Sequence, residues 1–225
     1  MRVAIFSDLH NSQSALEAVI TDSQRKNADR LIYLGDVGDD PALFAALRAR
    51  EISCTFGNWE VSAMRRLPAE ISSWVAGWPA RIASGAVIYT HATPDLPPKV
   101  RTTANAATYM NQGVGWRALF PRMNNSEEAR WGALAALESS NHRAVFHGHT
   151  HVQEVWVYGA KRWRMFRGPT EFTLEPGEPD NSNRYLNRYL IGVGSAGDPQ
   201  DGPSLRYALY DDADQLVQLI ALKRG

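Results

Sequence analysis

Seven polar side chains of the types that bind metal ions follow short apolar runs of strand length in this chain. They are two aspartates, one asparagine and four histidines: Asp8, His10, Asp36, Asn58, His91, His149 and His151. A single histidine after a strand is more often a capping or core group than a ligand, and Gly-Asp after a strand is commonly only a turn. Seven such groups are costly to desolvate together unless a cation binds them. The pattern therefore predicts a metal cluster.

The donor types narrow the choice of metal. A mixture of carboxylate, imidazole and amide donors suits Mn, Fe or Zn better than Ca or Mg, which prefer shells made of oxygen. The chain contains a single cysteine, Cys54, so neither a structural zinc site made of thiolates nor an internal disulfide fits the sequence. We expect transition metals.

The elements that must position these side chains alternate between strand and helix in the first half of the chain. Apolar runs predict strands at 3–6, 31–34, 52–56, 87–90 and 144–147. Helical spacing begins near Ser12 and Pro41 and covers 102–111 and 127–137, the last with Ser126 as N-cap. Functional sites gather at the carboxyl ends of strands in α/β sheets, which is where all seven candidates lie.

The second half of the chain is predicted to be mostly strands. These lie at 152–158, 162–166, 189–193, 205–210 and 215–222. A βα half followed by a β half predicts an α/β fold in which two packed, mixed β-sheets are flanked by helices. Residues 167–187 are rich in Pro, Gly, Asn and Glu and are predicted to be a surface excursion. We expect one domain over residues 1–225.

Composition excludes several classes of protein. With 44% hydrophobic and 21% charged residues the chain is an ordinary globular protein. Lys+Arg and Asp+Glu number 24 each, so no net field attracts a nucleic-acid polymer or an anionic membrane. No secretory signal and no apolar run of membrane-spanning length is present, and we expect a cytoplasmic location. The sequence leaves open whether the chain forms a homo-oligomer. An exposed cluster of tryptophans would indicate a dimer.

Five short motifs, in order, carry a family resemblance. They resemble the D-x-H, G-D, G-N-H-[DE], H and G-H-x-H motifs of the calcineurin-like metallophosphoesterases. The matching residues are Asp8-Leu9-His10, Gly35-Asp36, Gly57-Asn58-Trp59-Glu60, His91 and Gly148-His149-Thr150-His151. Residues 7–20 and 194–202 further resemble the small bacterial and archaeal phosphodiesterase branch of that superfamily. The resemblance implies the four-layer αββα sandwich of that fold.

The resemblance also implies two divalent transition metal ions, with Mn the first choice and Fe, Zn, Co or Ni as alternatives. One metal would be held by Asp8, His10 and His151, the other by Asn58, His91 and His149, with Asp36 bridging them. Asp36, Asn58 and His91 would thereby be catalytic. Two such cations share a hydroxide that attacks phosphorus in line.

The function implied is hydrolysis of phosphodiester or phosphoanhydride bonds in a small phosphate ester or nucleotide-like substrate. Two alternatives stay open: hydrolysis of dinucleoside polyphosphates, and a metal-binding scaffold without catalysis. Seven clustered polar groups favour an enzyme, because a scaffold gains nothing from holding them together.

Trp59 departs from the family motif, which has histidine after asparagine. An indole cannot act as an acid near neutral pH, so we expect a preference for leaving groups that need little protonation. The Trp59 ring could equally stack a nucleobase or fill the core. Arg65 could hold a second phosphate, although loop arginines are usually solvated. Glu60 could orient an imidazole or could be a solvated loop carboxylate.

Overall fold

A computed structural model describes residues 1–177 and 187–223 of the chain. Within these ranges it has twelve strands and six α-helices. The strands are β1 (Arg2–Phe6), β2 (Arg30–Tyr33), β3 (Ser53–Cys54), β4 (Arg81–Ser84), β5 (Val87–Thr90), β6 (Ala144–His147), β7 (Gln153–Gly159), β8 (Arg162–Arg167), β9 (Thr170–Thr173), β10 (Arg188–Val193), β11 (Leu205–Asp211) and β12 (Leu216–Leu222). The helices are α1 (Gln13–Arg25), α2 (Pro41–Ala49), α3 (Asn58–Ala63), α4 (Ala69–Ala76), α5 (Thr103–Met110) and α6 (Glu127–Ser139).

The strands form two mixed sheets of six. The first has the order β3-β2-β1-β11-β12-β9 and the second the order β4-β5-β6-β10-β7-β8. Strands β1, β2 and β3 are parallel to one another, and so are β5, β6 and β10. Register places Phe6 beside Tyr33 in the first sheet and Thr90 beside His147 in the second. Parallel strands that end level deliver their following loops to the same edge.

The core forms three layers of side chains. Val3 and Ile5 on the inner face of β1 pack with Phe146 and Ile191 of the second sheet. Ala4 and Phe6 point to the opposite face of β1 and pack under helices α1 and α2. Helix α6 covers the outer face of the second sheet through contacts such as that of Leu137. Because β1 is buried on both faces, its sequence is a continuous apolar run. This is the predicted four-layer arrangement.

Helices α1, α2 and α6 begin at side-chain caps, and the sequence analysis predicted the cap of α6. Ser12 Oγ accepts the Ala15 amide at the start of α1, and Ser126 Oγ accepts the Ala129 amide at the start of α6. Asp40 caps α2, with Pro41 in its first turn. None of the helices in the described ranges has the length and apolarity that a membrane span needs.

The structure contains helix α4 and strand β4, which the sequence analysis did not predict, and it differs from the expectation in two further places. The predicted strand at 52–56 shortens to β3, and the chain re-enters a helix, α3, directly at Asn58. Part of the predicted excursion at 167–187 is ordered, because Thr170–Thr173 pairs with β12 as an edge strand. Its residues 178–186 lie outside the described residues.

Candidate metal centre

Five loops that follow parallel strands bring the seven predicted ligands to one edge of the sandwich. Five of the seven have positive φ angles: Asp8, His10, Asp36, His149 and His151, at 58°, 44°, 65°, 62° and 59°. Residues other than glycine rarely adopt this left-handed conformation, which costs of order 1–3 kcal/mol each. Its repetition at one edge of the fold indicates that the surrounding structure imposes it.

Asp8, His10 and His151 form the first group of ligand atoms, all lying within 4.8 Å of one another. Nε2 of His10 is 3.2 Å from Nε2 of His151, and Nε2 of His151 is 3.3 Å from Oδ1 of Asp8. Nδ1 of His151 donates to the carbonyl oxygen of Asp198 at 2.7 Å. Since the carbonyl fixes which nitrogen carries that proton, Nε2 of His151 is directed at the group.

Asp8, Asp36 and His91 form the second group. Oδ2 of Asp36 lies 3.6 Å from Nε2 of His91, and Oδ1 of Asn58 lies 3.1 Å from the same nitrogen. Nδ1 of His91 donates to the carbonyl oxygen of Leu34 at 2.9 Å, which leaves Nε2 as the lone-pair nitrogen. The carboxylate common to both groups is Asp8, whereas the family resemblance gives the bridging role to Asp36.

His149 lies beside these groups and belongs to neither. Its ring is 5.1 Å from the His91 ring, and its backbone amide donates to Oδ2 of Asp8 at 3.1 Å. Nε2 of His149 donates to the carbonyl oxygen of Phe120 at 3.1 Å, so Nδ1 carries the lone pair. The loop after β6 is therefore connected to the loop after β1 through Asp8.

Glu60 is the residue whose role the sequence suggested least clearly. Its carboxylate is fully buried and accepts three backbone amides, from Asp36 at 2.9 Å, Val37 at 2.8 Å and Gly57 at 2.7 Å. It contacts no imidazole in these bonds and is not a solvated loop carboxylate. Glu60 instead ties the loop after β2 to the N-terminus of α3. The bond from the Gly57 amide to the Glu60 carboxylate, three residues later, is the one that a helix capping box makes, and this spacing is visible in the sequence.

Two glycines allow the loops to approach each other closely. A Cβ atom on Gly57 would lie 2.2 Å from Oδ1 of Asp36, and one on Gly148 would lie 2.0 Å from Oγ of Ser7. Oδ1 of Asp36 instead accepts the amide of Trp59 in the first turn of α3 at 2.8 Å. The family motifs thus contain glycine where backbone passes against a ligand-bearing loop.

Burial and crowding shift the pKa values of the cluster. Burial, reinforced by the charge of Asp8, raises the pKa of Asp36 well above its ordinary value. Burial lowers the pKa of His149 to about 3 and also lowers the pKa of His91, so both imidazoles are neutral and able to bind metal. Burial also lowers the pKa of His151, but contact with Asp8 outweighs burial and raises it to about 9.

The residues fit a pair of cations. Oδ1 of Asp8 is buried and accepts no hydrogen bond of normal geometry among the described residues. Nε2 of His91 and Oδ1 of Asn58 are two acceptors only 3.1 Å apart, an arrangement that repels unless a positive charge lies beside it. Carboxylate, imidazole and amide donors are those of Mn, Fe and Zn sites.

The side chain of Trp59 packs among apolar residues, and that of Arg65 is exposed. The Trp59 ring is half-buried and packs 6.3 Å from the Phe44 ring on the helical side of the first sheet. Arg65 is exposed and lines a small cavity of about 270 Å³ with Met64 and Met110. Their predicted roles in substrate binding stay predictions.

A cleft of about 1120 Å³ opens directly beside the centre. Asn58 and His149 form part of its wall, and the rest comes mainly from the segment between α5 and α6. The sequence reading did not single out this segment, because its aromatic and basic residues are not adjacent to any motif. The lining includes Ser62, Thr93, Asp95, Trp116, Arg117, Phe120, Arg122, Asn125 and Glu128.

Comparison with solved structures places the fold among phosphoesterases. A metallophosphoesterase from Sphaerobacter thermophilus is similar with a TM-score of 0.73 and 21% identity, covering 100% of this chain and 90% of that chain. An archaeal phosphodiesterase gives a TM-score of 0.51 at 14% identity, covering 99% and 100%. A chain proposed as a diadenosine tetraphosphatase gives 0.50 at 15% identity, covering 100% and 95%. At these identities the likeness concerns the fold.

The sequence itself matches a family. No curated protein sequence matches the chain. A profile described as the calcineurin-like phosphoesterase superfamily domain matches residues 1–214, which is nearly the whole chain. The five motifs, the two six-stranded sheets and the clustered Asp and His side chains agree with that match. The chain belongs to the calcineurin-like phosphoesterase superfamily.

Proposed function

We propose that the protein is a two-metal phosphoesterase that hydrolyses phosphodiester or phosphoanhydride bonds in small, nucleotide-like substrates. The observation that supports this most is the pair of ligand groups sharing the buried Asp8 carboxylate. Two further predicted ligands, Asn58 and His149, line a cleft large enough for a nucleotide-sized molecule. A binding scaffold has no need for two clustered ligand groups beside an open cleft.

The residues divide the work between holding cations and shaping their surroundings. Asp8, His10 and His151 would hold one metal, and Asn58, His91 and His149 the other, with Asp36 shared. When bound, two divalent cations supply Lewis acidity and activate water near neutral pH. Asp36 and Asp8 would contribute the negative charge that retains the cations. Asn58 lines the cleft, and Nε2 of the buried His91 lies 3.1 Å from the side-chain oxygen of Asn58, so the metal that both would hold would lie on the cleft side.

A test compares the wild type with Asp36→Asn on bis-p-nitrophenyl phosphate in the presence of Mn²⁺. Because Asp36 lies against Asn58 and His91 and is proposed to contact both cations, kcat/KM should fall by about 10³-fold or more. The fold should persist, since apolar burial stabilises it. Asp214→Asn, in the exposed turn between β11 and β12, is the matched control and should keep full activity.

The outcomes separate the enzyme from the alternative of a scaffold. Metal-dependent turnover in the wild type and the control, lost in Asp36→Asn, supports the proposal. Protein that contains metal but turns over no phosphoester with any divalent transition metal would establish the scaffold. Equal turnover in Asp36→Asn would contradict the role of Asp36.

A dinucleoside polyphosphate is the second candidate substrate. Both Arg117 and Arg122 line the cleft, so an extended chain of phosphates could be accommodated beyond the one attacked. The absence of an acid at position 59 also favours anhydrides, whose phosphate leaving groups need little protonation. Product analysis with diadenosine tetraphosphate against bis-p-nitrophenyl phosphate tests this choice.

A further inference from the structure

One wall of the cleft is aromatic, although reaction at phosphorus requires no aromatic group. Trp116 lies on a single 3-10 turn, Trp116–Ala118, and its side chain is 46% exposed. Its ring lies 5.7 Å from the Phe120 ring with an interplanar angle of 34°. The buried Phe120 ring in turn lies 6.0 Å from both His91 and His149. A continuous row of rings therefore leads from the ligands to the surface.

The backbone that carries the exposed indole is held in place by hydrogen bonds. The amides of Leu119 and Phe120 donate to the carbonyl oxygen of Trp116 at 3.1 and 2.9 Å. The carbonyl oxygen of Phe120 accepts Nε2 of His149 at 3.1 Å, so the turn is bonded to a ligand loop. Exposing half of an indole to water costs free energy that burial against another ring would recover. A planar ligand in the cleft would provide that burial.

The charges of the cleft suit an anionic link between this platform and the centre. Arg122 donates to the carbonyl oxygen of Thr150 at 2.9 Å, and Thr150 lies between the ligands His149 and His151. Its guanidinium is therefore anchored beside the ligand loop, where a phosphate would meet it. Arg117 follows Trp116 and lines the same cleft, which Asp95 and Glu128 border as well.

We propose that this cleft binds the nucleobase of a nucleotide substrate, stacked on Trp116, while the phosphates extend past Arg122 to the metal centre. The inference rests on the proposed function and names the substrate class for the same site. It moves the aromatic contact from Trp59 to Trp116, because the Trp59 ring packs against Phe44 whereas Trp116 lines the cleft.

The experiment uses two non-hydrolysable probes that differ in the nucleoside alone: α,β-methylene-ADP and methylenediphosphonate. Their affinities for Mn²⁺-loaded protein are measured by calorimetric titration, which requires no turnover. Trp116→Ala should weaken binding of α,β-methylene-ADP about tenfold or more, as loss of one base–aromatic stack does. Binding of methylenediphosphonate should change less than twofold.

Matched variants separate stacking from general damage. Trp116→Phe keeps a π-face and should retain most of the affinity for α,β-methylene-ADP. Trp131→Ala removes another exposed indole, 43% exposed on α6 and packed on Trp163 and Tyr158, and should leave both affinities unchanged.

The inference fails if Trp116→Ala binds α,β-methylene-ADP as the wild type does, or if Trp131→Ala weakens it equally. It also fails if the wild type binds methylenediphosphonate but gains nothing from the nucleoside, in which case the proposed phosphoesterase function still stands. If the Mn²⁺-loaded wild type binds neither probe and hydrolyses no phosphoester, the proposed function is overturned and the inference with it.

Discussion

At the scale of single residues, Glu60 is not one of the predicted ligands, but its carboxylate accepts the amides of Asp36, Val37 and Gly57, at or beside two of them. Burial, together with the charge of Asp36, raises the pKa of Glu60 to about 7, although three amide donors oppose that rise. Those three hydrogen bonds join the loop that contains Asp36 to the start of α3. Removing an acceptor there leaves buried amides without partners.

Glu60→Gln should accordingly lower the free energy of unfolding by about 2–4 kcal/mol at pH 8. A glutamine amide has one acceptor oxygen, so its NH₂ group must face at least one of the backbone amides of Asp36, Val37 and Gly57. Metal affinity should fall as well, since Asp36 moves with its loop. Urea denaturation and metal titration measure the two effects.

Glu70→Gln serves as the control for Glu60→Gln. Glu70 lies on α4 with an exposed side chain that pairs with Arg48 at 2.7 Å. Exposed ion pairs contribute little, so this variant should change stability by less than about 0.5 kcal/mol. Similar stability losses in both variants would mean that Glu60 does not connect the two loops.

Trp59 gives the second prediction at this scale. Its ring packs on Phe44, whereas its backbone amide holds Asp36, and a histidine would keep the second contact but lose most of the first. Trp59→His should therefore lower the free energy of unfolding by about 1–2 kcal/mol. Since the ring position faces Phe44, the steep dependence of rate on leaving-group pKa should be the same in both proteins.

The test is to measure kcat/KM of the wild type and Trp59→His with a series of aryl phosphodiesters of different leaving-group pKa. Parallel slopes in the two proteins agree with a packing role. A flatter slope for Trp59→His, with poor leaving groups gaining most, would show instead that an imidazole at position 59 reaches the departing oxygen.

The sequence predicted the polar residues at strand ends but not the residues that hold them. Asp8, Asp36 and His91 stand out because their types and their positions after apolar runs are local information. The partners that orient His91 and His149 are carbonyl oxygens of Leu34 and Phe120, and backbone carbonyls have no signature in the sequence. These bonds join residues 57 and 29 positions apart in the sequence, so they depend on how the loops meet in space.

At the scale of elements, the close meeting of loops depends on glycine. The loop after β6 passes the loop after β1 so closely that a Cβ on Gly148 would lie 2.6 Å from Oδ2 of Asp8. Gly148→Ala should thus displace Asp8 or His149 and lower the metal content of the purified protein at least tenfold. Elemental analysis and thermal unfolding are the measurements.

Gly77→Ala is the control for this effect. Gly77 ends α4 with φ of −88°, and a Cβ there would meet a single backbone atom at an ordinary 3.6 Å. This variant should keep its metals and its stability. Full metal content in Gly148→Ala would mean that the loops can separate without loss of the site.

Helix α3 shows where prediction from the sequence fails at this scale. Residues 52–56 were predicted as a strand, yet β3 covers only Ser53–Cys54 and a helix begins at Asn58. Six residues are too few for an apolar period to be read. The helix is stabilised by contacts distant in sequence: Oδ1 of Asp36 accepts the amide of Trp59, and Glu60 of the helix accepts the amides of Asp36 and Val37.

At the scale of the whole molecule, the four layers were predictable because their signal is repeated along the chain. Strand β1 is buried on both faces and therefore reads as continuous apolar sequence, and α1 shows the helical period. The order of strands in each sheet was not predictable, because β10 and β11 insert between segments far away in sequence. The family resemblance supplied what periodicity could not.

The same architecture makes metal binding a matter of overall stability. The seven predicted ligands lie on five separate loops from both sheets, so the unfolded chain cannot present them together. A cation that binds the folded state alone stabilises it by about 2.7 kcal/mol at a free concentration one hundred times its Kd. For a chain of this size that corresponds to a rise in Tm of about 5–10 °C.

We therefore expect Mn²⁺ to raise the Tm of chelator-treated protein by about this amount, and Mg²⁺ at the same concentration to raise it much less, because four of the seven predicted ligands are imidazoles. Asp8→Asn should abolish most of the Mn²⁺ effect, since Asp8 belongs to both ligand groups. If Asp8 is the carboxylate on which both groups depend, Asp36→Asn should reduce the Mn²⁺ effect less than Asp8→Asn does. If Asp36 bridges the two metals, the two variants should reduce the effect equally. Differential scanning calorimetry of the three proteins with each cation measures these shifts and shows which aspartate connects the two ligand groups. A Tm of the wild type that does not change with Mn²⁺ would contradict the metal centre itself.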